Sequence, residues 1–170
     1  TDEFELYFKQ QLINKTESIK DCMIYNLGLG FKELGHEVTL VAAKEYEPIV
    51  KETYDIDVIF IKSNFKSIFQ ANVLPLQLKL FSFLWKKKKE FDFILSSEVF
   101  SFPSLFSGVI APKKTIIWHE LAIHPKKFHS LPSILWYNII YRLFYREVLV
   151  VPRSEFAKKF ISQYAKNISE

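Results

Sequence analysis

The sequence predicts an α/β fold in which helices cover a doubly wound parallel sheet. The first observation behind this prediction is a set of short, mostly apolar runs at 38–43, 58–61, 91–95, 115–118 and 148–151. Runs of this kind are typical of strands that are buried on both faces of a parallel sheet. The second observation is that helical patterns separate most of the runs, which favours crossover connections between parallel strands.

The composition predicts a packed core within one domain. The chain has 170 residues, of which 49% are hydrophobic and 25% are charged, and this balance argues against disorder. The lone cysteine, Cys22, cannot form an internal disulfide, and its place in a helical pattern predicts a small core residue. The net charge of +4 is compatible with a nucleic acid, an anionic lipid surface or a phosphorylated ligand.

The first helix is predicted from apolar residues that repeat every three or four positions from Ile19 to Leu34. Gly35 stands where a left-handed residue would end that helix. Gly28 and Gly30 lie inside it, where they indicate close packing against a sheet. The remaining predicted helices span 75–89, 101–110, 132–146 and 155–164. Ser154 is the predicted N-cap of the last one.

The two ends of the chain are unusual for a complete domain of this class. The opening residues, Thr1 to Phe4, have the character of a loop that follows a strand. The chain stops at Glu170, shortly after a helix, where a further strand is expected. We therefore expect a fragment that lacks its first strand.

Four segments resemble, in order, the N-terminal half of family 4 glycosyltransferases. Residues 27–41 contain Gly-His-Glu-Val-Thr-Leu-Val, which is similar to the "GHEVTVV" piece that joins the first helix to the second strand of that family. Residues 92–98 resemble its "DIIHxH" strand end, and residues 116–119 resemble a strand that ends in histidine. Residues 148–155 resemble its "vivvpSe" strand-to-helix turn, so the resemblance covers nearly the whole chain.

The resemblance implies one half of a GT-B architecture, in which two Rossmann-like domains face each other across a cleft. Residues 1–170 would be the N-terminal, acceptor-side domain. The C-terminal domain of such enzymes binds the nucleotide sugar and carries a Glu-x7-Glu element, and nothing in this chain matches it. The implied reaction is a hexosyltransferase-type transfer, with retention, from a nucleotide sugar to a hydroxyl acceptor.

The implied setting is the cytoplasmic synthesis of a polysaccharide or glycolipid, with a glycan or a lipid-linked acceptor as partner.

One segment departs from the family. Where members carry a Gly-Gly pair against the donor diphosphate, residues 14–18 are Asn-Lys-Thr-Glu-Ser, without glycine. A helix N-terminus at Ser18 still offers backbone N–H groups to a substrate, although Glu17 would repel an anion.

His119 is the first candidate site residue because it ends the predicted strand 115–118. Ligands of open α/β sheets bind outside the carboxyl ends of the strands. An imidazole there can donate to a sugar hydroxyl or exchange a proton near neutral pH. The resemblance implies that this histidine contacts the donor sugar near the reacting carbon. The alternative is a histidine that is hydrogen-bonded at the edge of the core.

Several carboxylates are expected in the same crevice. Glu98 follows the strand that begins at Phe91, and it can hold or deprotonate an acceptor hydroxyl. The alternative for Glu98 is a carboxylate at the N-terminus of the next helix. Further substrate-binding candidates are Glu120, Asp2 and Glu3.

Two groups of basic residues are candidates for binding anions. His124, Lys126 and Lys127 form a loop after His119 that can bind an acceptor phosphate or simply be solvated, and Arg153 is similar. Lys86, Lys87, Lys88 and Lys89 follow an apolar run that ends in Trp85. They indicate either peripheral contact with the inner face of the membrane or a helix C-terminus with Trp85 in the core.

The sequence contains no metal-ligand spacing, Walker A loop, G-x-G-x-x-G or G-x-S-x-G motif. We therefore predict no metal or cofactor. The resemblance implies that the nucleotide sugar is a substrate, and we expect no nucleic acid as a partner. Two other classes remain open. One is an epimerase or another nucleotide-sugar enzyme of the same architecture, and the other is a non-catalytic domain that docks on a membrane or a protein.

Overall fold

The computed structural model describes residues 18–69, 74–124 and 131–169. The chain divides into two compact units, Thr1–Gln77 and Leu78–Glu170. The α/β class and the parallel strands are confirmed. In the described part of the chain, the strands form one two-stranded and one three-stranded parallel sheet.

The first unit holds one helix and the two-stranded sheet. Its elements are a 3-10 turn (Ile19–Asp21), helix α1 (Met23–Glu33), strand β1 (Thr39–Ala43), a second 3-10 turn (Lys44–Tyr46) and strand β2 (Asp57–Ile61). The two strands pair in register from Thr39 opposite Asp57 to Ala43 opposite Ile61. Both predicted strands are confirmed to within one residue.

Helix α1 ends as the sequence predicts, at a glycine in the left-handed region. Gly35 has φ 89°, and its N–H donates to the carbonyl of Lys32. The N–H of His36 donates to the carbonyl of Phe31. These two bonds form a Schellman motif, which satisfies carbonyls that the helix end would otherwise leave unpaired.

The core of the first unit lies between α1 and the sheet. Tyr25, Ile19 and Ile56 are buried there, and Tyr25 Oη receives the N–H of Asp55 at 3.0 Å. A Cβ on Gly28 would lie 2.8 Å from Ile56 Cδ1, so this glycine does allow close packing. The same prediction is wrong for Gly30, because a Cβ there would meet nothing within 4 Å.

The second unit holds the three-stranded sheet, in the order β3-β4-β5. Its elements are α2 (Leu78–Lys87), β3 (Ile94–Ser97), α3 (Phe102–Ile110), β4 (Thr115–His119), α4 (Leu131–Leu135), a π-helical turn (Trp136–Ile140), α5 (Tyr141–Phe144), β5 (Leu149–Pro152) and α6 (Glu155–Ile161). Beyond β5, a parallel bridge joins Val150 to Ile168. The predicted strand at 91–95 begins three residues late, at Ile94.

Helix caps and a π-helical turn position the core of this unit. Ser101 and Ser154 are N-caps whose side chains accept from the N–H groups of Ser104 and Ala157. The π-helical turn buries both Trp136 and its neighbour Tyr137, although adjacent helical residues ordinarily face different directions. Tyr137 thereby packs under the carboxyl end of β4.

Two side chains that local patterns placed in the core lie on the surface. Cys22 is exposed and precedes α1, so the prediction that it is a small core residue is wrong. Trp85 is 56% exposed, with Lys88 Nζ 3.9 Å from the centre of its ring, and the interpretation that places it in the core is wrong too. Of the helices in the described ranges, none has the length and apolar character needed to cross a membrane.

Candidate functional site

The register of the three-stranded sheet brings four polar residues together at its carboxyl edge. Ser97 lies opposite Trp118, and His119 lies opposite Pro152. The backbone hydrogen bonds of both strand pairs continue one residue beyond the strands. Glu98 N donates to Trp118 O, and Arg153 N donates to His119 O, both at 2.9 Å. Glu98 therefore flanks His119, and Glu120 and Arg153 follow directly after β4 and β5.

His119 is fully buried at the end of β4. Alternate residues of this strand face the core, and His119 shares its face with Thr115 and Ile117. Its imidazole is stacked on the ring of Phe160, with 6.1 Å between ring centres, and meets Tyr137 edge-on. The ring thus has an apolar environment on both sides.

The buried nitrogens of His119 lack ordinary hydrogen bonds. Nδ1 lies 3.0 Å from Oε2 of Glu98, which is ion-pair distance, but the two groups are not aligned as donor and acceptor. Neither Nε2 nor Nδ1 has a hydrogen-bond partner within the described part of the chain. An unsatisfied buried polar group costs about 1–3 kcal/mol, and such groups in native proteins often have a functional role.

The backbone of Glu98 has a left-handed conformation, with φ 62°. For a residue other than glycine this conformation costs roughly 1–2 kcal/mol. The hydroxyls of Ser101 and Ser104 donate to the carbonyl of Glu98, at 3.0 and 2.6 Å, and help to hold it. The conformation turns the chain sharply between β3 and α3 and directs the carboxylate across the sheet edge toward β4.

The carboxylate of Glu98 has one engaged and one buried oxygen. Oε1 accepts the backbone N–H of Glu120 at 2.8 Å and retains capacity for a second donor. Oε2 is the buried oxygen that faces His119. The side chain as a whole is 24% exposed, so a ligand can reach it. Glu98 precedes α3, whose N-cap is Ser101, and its proposed site role and the alternative role at this helix N-terminus both stay predictions.

Glu120 and Arg153 form an ion pair at the outer part of this edge, and the guanidinium lies 5.2 Å from the ring centre of Trp118. Both side chains are partly exposed. Because Arg153 already has a carboxylate partner, its charge is largely compensated. The site as described therefore offers carboxylate acceptors rather than a free cation, and this chemistry suits hydroxyl groups better than phosphate.

His124 lies in an aromatic cluster next to the site. Its Nδ1 is 2.8 Å from Ser133 Oγ and its Nε2 is 3.0 Å from Tyr164 Oη, and the ring meets Phe160 edge-on. Burial lowers the pKa of His124 below its ordinary value of 6.5. Both ring nitrogens thus face hydroxyl groups within the unit, and a role of His124 in binding a substrate phosphate stays a prediction.

Ser18 is placed in the first unit and acts as a local cap. Its side chain accepts from the N–H of Lys20, at the start of the 3-10 turn. The nearby Glu52 has a lowered pKa, chiefly because Ser18 donates a hydrogen bond to it. A substrate-binding role for Ser18 stays a prediction, and the structure shows a structural one. Four other candidates, Asp2, Glu3, Lys126 and Lys127, lie outside the described residues.

A second polar cluster lies at the carboxyl edge of the two-stranded sheet. Glu45 follows β1, and its carboxylate accepts from Ser63 Oγ at 2.8 Å and pairs with Lys66. Burial alone would raise the pKa of Glu45, but the hydrogen bonds from Lys66 and Ser63 outweigh it and lower that pKa. Sequence patterns did not single out this cluster.

Other residues of the site also lack a recognisable sequence signal. Phe160 and Tyr137, which enclose His119, look like ordinary apolar positions of two helices. Ser101 and Ser104 were detectable only as a possible helix start. In the three described ranges, no three His, Cys, Asp or Glu side chains are grouped so that they could hold a metal ion.

Comparison with known proteins adds no relative: the chain matches no family model, no curated protein and no solved structure at a significant level. The fold and the site geometry are therefore the observations on which a functional proposal rests.

Proposed function

We propose that this chain is the acceptor-side half of a GT-B glycosyltransferase, with Glu98 and His119 at its reaction centre. The sheet would be the Rossmann-like, doubly wound sheet of such a domain, and the resemblance of the four ordered sequence segments supports this assignment. The observation that carries the proposal is the contact of 3.0 Å between the Glu98 carboxylate and a buried, unsatisfied His119 at the ends of adjacent parallel strands.

In this proposal Glu98 contacts the acceptor hydroxyl. Its carboxylate is partly exposed, and Oε1 has a free lone pair beyond the one used by Glu120 N–H. As the bond from the acceptor oxygen to the anomeric carbon forms and the bond to the diphosphate breaks, the hydroxyl loses its proton. A carboxylate that is held in a fixed position can receive this proton or orient the hydroxyl.

His119 supports Glu98 from the buried side. Its ring has no exposed surface, so it acts as a positioning residue for the carboxylate in this conformation. The contact with the donor sugar that the resemblance implies requires movement of the side chains that cover the ring, which include Phe160 and Tyr137. The nucleotide sugar itself would be bound mainly by a second domain.

A mutational experiment tests the reaction centre in the longest polypeptide that the gene encodes. We expect His119→Ala to lower kcat for sugar transfer by roughly 10²–10⁴-fold. His119→Gln should change the pH profile of kcat/KM as well as its height, which a purely structural role would not do. The matched control, His36→Ala, alters an exposed histidine of the other unit and should leave kcat unchanged. Full activity in His119→Ala would remove this residue from the mechanism.

The sequence of the flanking coding DNA tests the architecture separately. A strand-forming segment upstream and a second α/β domain with Glu-x7-Glu downstream would support the two-domain transferase. A second domain with a different carboxylate pattern would favour the epimerase class. A stop codon soon after Glu170 would instead favour the non-catalytic binding domain.

A further inference from the structure

We propose that the second unit docks on an anionic lipid surface through the outer faces of α2, α3 and α5. This inference concerns a different surface from the reaction centre and does not depend on the function proposed above. It rests on a continuous apolar surface, on the basic residues around it, and on the absence of acidic residues from these three helices.

The apolar surface consists of five side chains that are at least one-third exposed: Phe81, Trp85, Val109, Leu143 and Phe144. Phe81 is stacked with Trp85 along α2, and it meets Phe106 of α3 edge-on at 5.4 Å. Val109, one turn after Phe106, lines a shallow depression together with Leu143 and Phe144 of α5. The surface thus runs across three neighbouring helices, and contiguous exposed apolar patches on proteins usually mark contact sites.

Basic residues lie near the ends of two of these helices. Lys86 lies in the last turn of α2 and Lys88 and Lys89 follow that helix, while Arg142 and Arg146 lie in and just after α5. The three helices contain no Asp or Glu, and the nearby carboxylates of Glu90 and Glu147 are paired with lysines. This surface therefore combines exposed aromatic side chains with basic residues, as do proteins that lie in a membrane interface.

The position of Lys88 over Trp85 favours lipid as the occupant. Indole rings prefer the boundary between headgroups and acyl chains, and lysine side chains extend from that level to the phosphates. A second copy of the chain fits less well, because a twofold contact would place each basic patch against itself. A protein partner is also less suitable, because lysine is depleted in protein–protein interfaces.

Vesicle co-sedimentation of the whole chain tests the proposal. We expect binding to phosphatidylcholine vesicles that contain phosphatidylglycerol, little binding to phosphatidylcholine alone, and weakening by salt. Replacing Lys86, Lys88 and Lys89 by Gln should lower the partition coefficient by at least roughly tenfold, since each basic residue near an anionic surface contributes about a fivefold factor. Trp85→Ser should also lower it, and should abolish part of the tryptophan quenching by lipids brominated in their acyl chains.

The matched control replaces three exposed lysines elsewhere, Lys51, Lys62 and Lys159, by Gln, which removes the same charge. It should retain most of the binding. Equal losses in both triple variants would show nonspecific attraction and overturn the proposal, as would binding that survives Trp85→Ser together with the first triple change. Circular dichroism checks that each variant is folded. A dimer in light scattering that dissociates on Trp85→Ser would assign the surface to self-association instead.

Discussion

Glu45 and Glu98 are both carboxylates that follow a parallel strand, one in each unit, but their surroundings differ. The Glu45 carboxylate accepts a hydrogen bond from Ser63 Oγ and pairs with Lys66, and its backbone has a negative φ. Glu98 has a left-handed backbone and a buried oxygen without a hydrogen bond, beside a histidine that is also unsatisfied. A compensated carboxylate stabilises the fold, whereas a strained and uncompensated one is better suited to bind a ligand.

The largest expected difference between the two edges is in catalysis. We expect Glu98→Gln to lower turnover of the longest encoded polypeptide by roughly a hundredfold, because the amide cannot take a proton, while the free energy of unfolding changes little. Glu45→Gln should do the reverse: turnover is retained, and the free energy of unfolding falls by about 1 kcal/mol as the charge-assisted bonds weaken. Sugar-transfer assays and urea unfolding measure the two quantities.

Full activity of Glu98→Gln would contradict a catalytic role of this carboxylate. An equal loss of turnover in Glu45→Gln would show that the two sheet edges do not differ in function.

The backbone conformations predict a smaller effect on stability. Replacement by glycine rather than alanine should be more stable at Glu98 and less stable at Glu45. Both Glu98→Gly and Glu98→Ala remove the carboxylate, but only glycine relieves the left-handed φ of 62°. We expect the glycine variant to be more stable in urea by about 1 kcal/mol. At Glu45, in a 3-10 turn, glycine should instead be less stable than alanine. Equal stability of the two Glu98 variants would argue against strain at this position.

The pH dependence of His124 is the smallest of these expected effects. This histidine is a satisfied group next to the unsatisfied His119, and burial lowers its pKa below 6.5. As the pH falls below 6.5, the unfolded chain binds the proton before the folded chain does, so the free energy of unfolding declines until folded His124 is also protonated. Above 6.5 its contribution is fully present.

His124→Gln removes this titration while keeping an amide that can form hydrogen bonds. Urea unfolding at pH values well above and well below 6.5 should show a smaller decline toward acid for the variant than for the native chain. An unchanged decline would mean that the acid sensitivity comes from another group.

Much of the local structure could be predicted from the sequence. All five strand regions, the parallel α/β class, the left-handed Gly35 and the N-cap Ser154 are confirmed. These features depend on a few adjacent residues, because a cap or an apolar run is decided by its own side chains and backbone. The alternation along β4 also carried a usable signal for His119, since that residue shares the face of Ile117.

The errors concern side chains whose environment is supplied by distant residues. Cys22 and Trp85 lie at positions with a helical pattern, but nothing in that pattern shows whether another element covers them. The contacts of His124 with Ser133, Tyr164 and Phe160 had no sequence signal either, because these partners lie further along the chain. Packing of this kind is a property of the whole unit.

The sequence by itself therefore determined where the strands and helices lie and which polar residues follow the strands. Only the tertiary structure decided that the described strands form two sheets, and that Glu98 meets His119 while Glu120 meets Arg153. The reason is that strand position depends on local side chains, whereas these contacts depend on the register between strands and on the left-handed turn at Glu98, which separate parts of the chain set together.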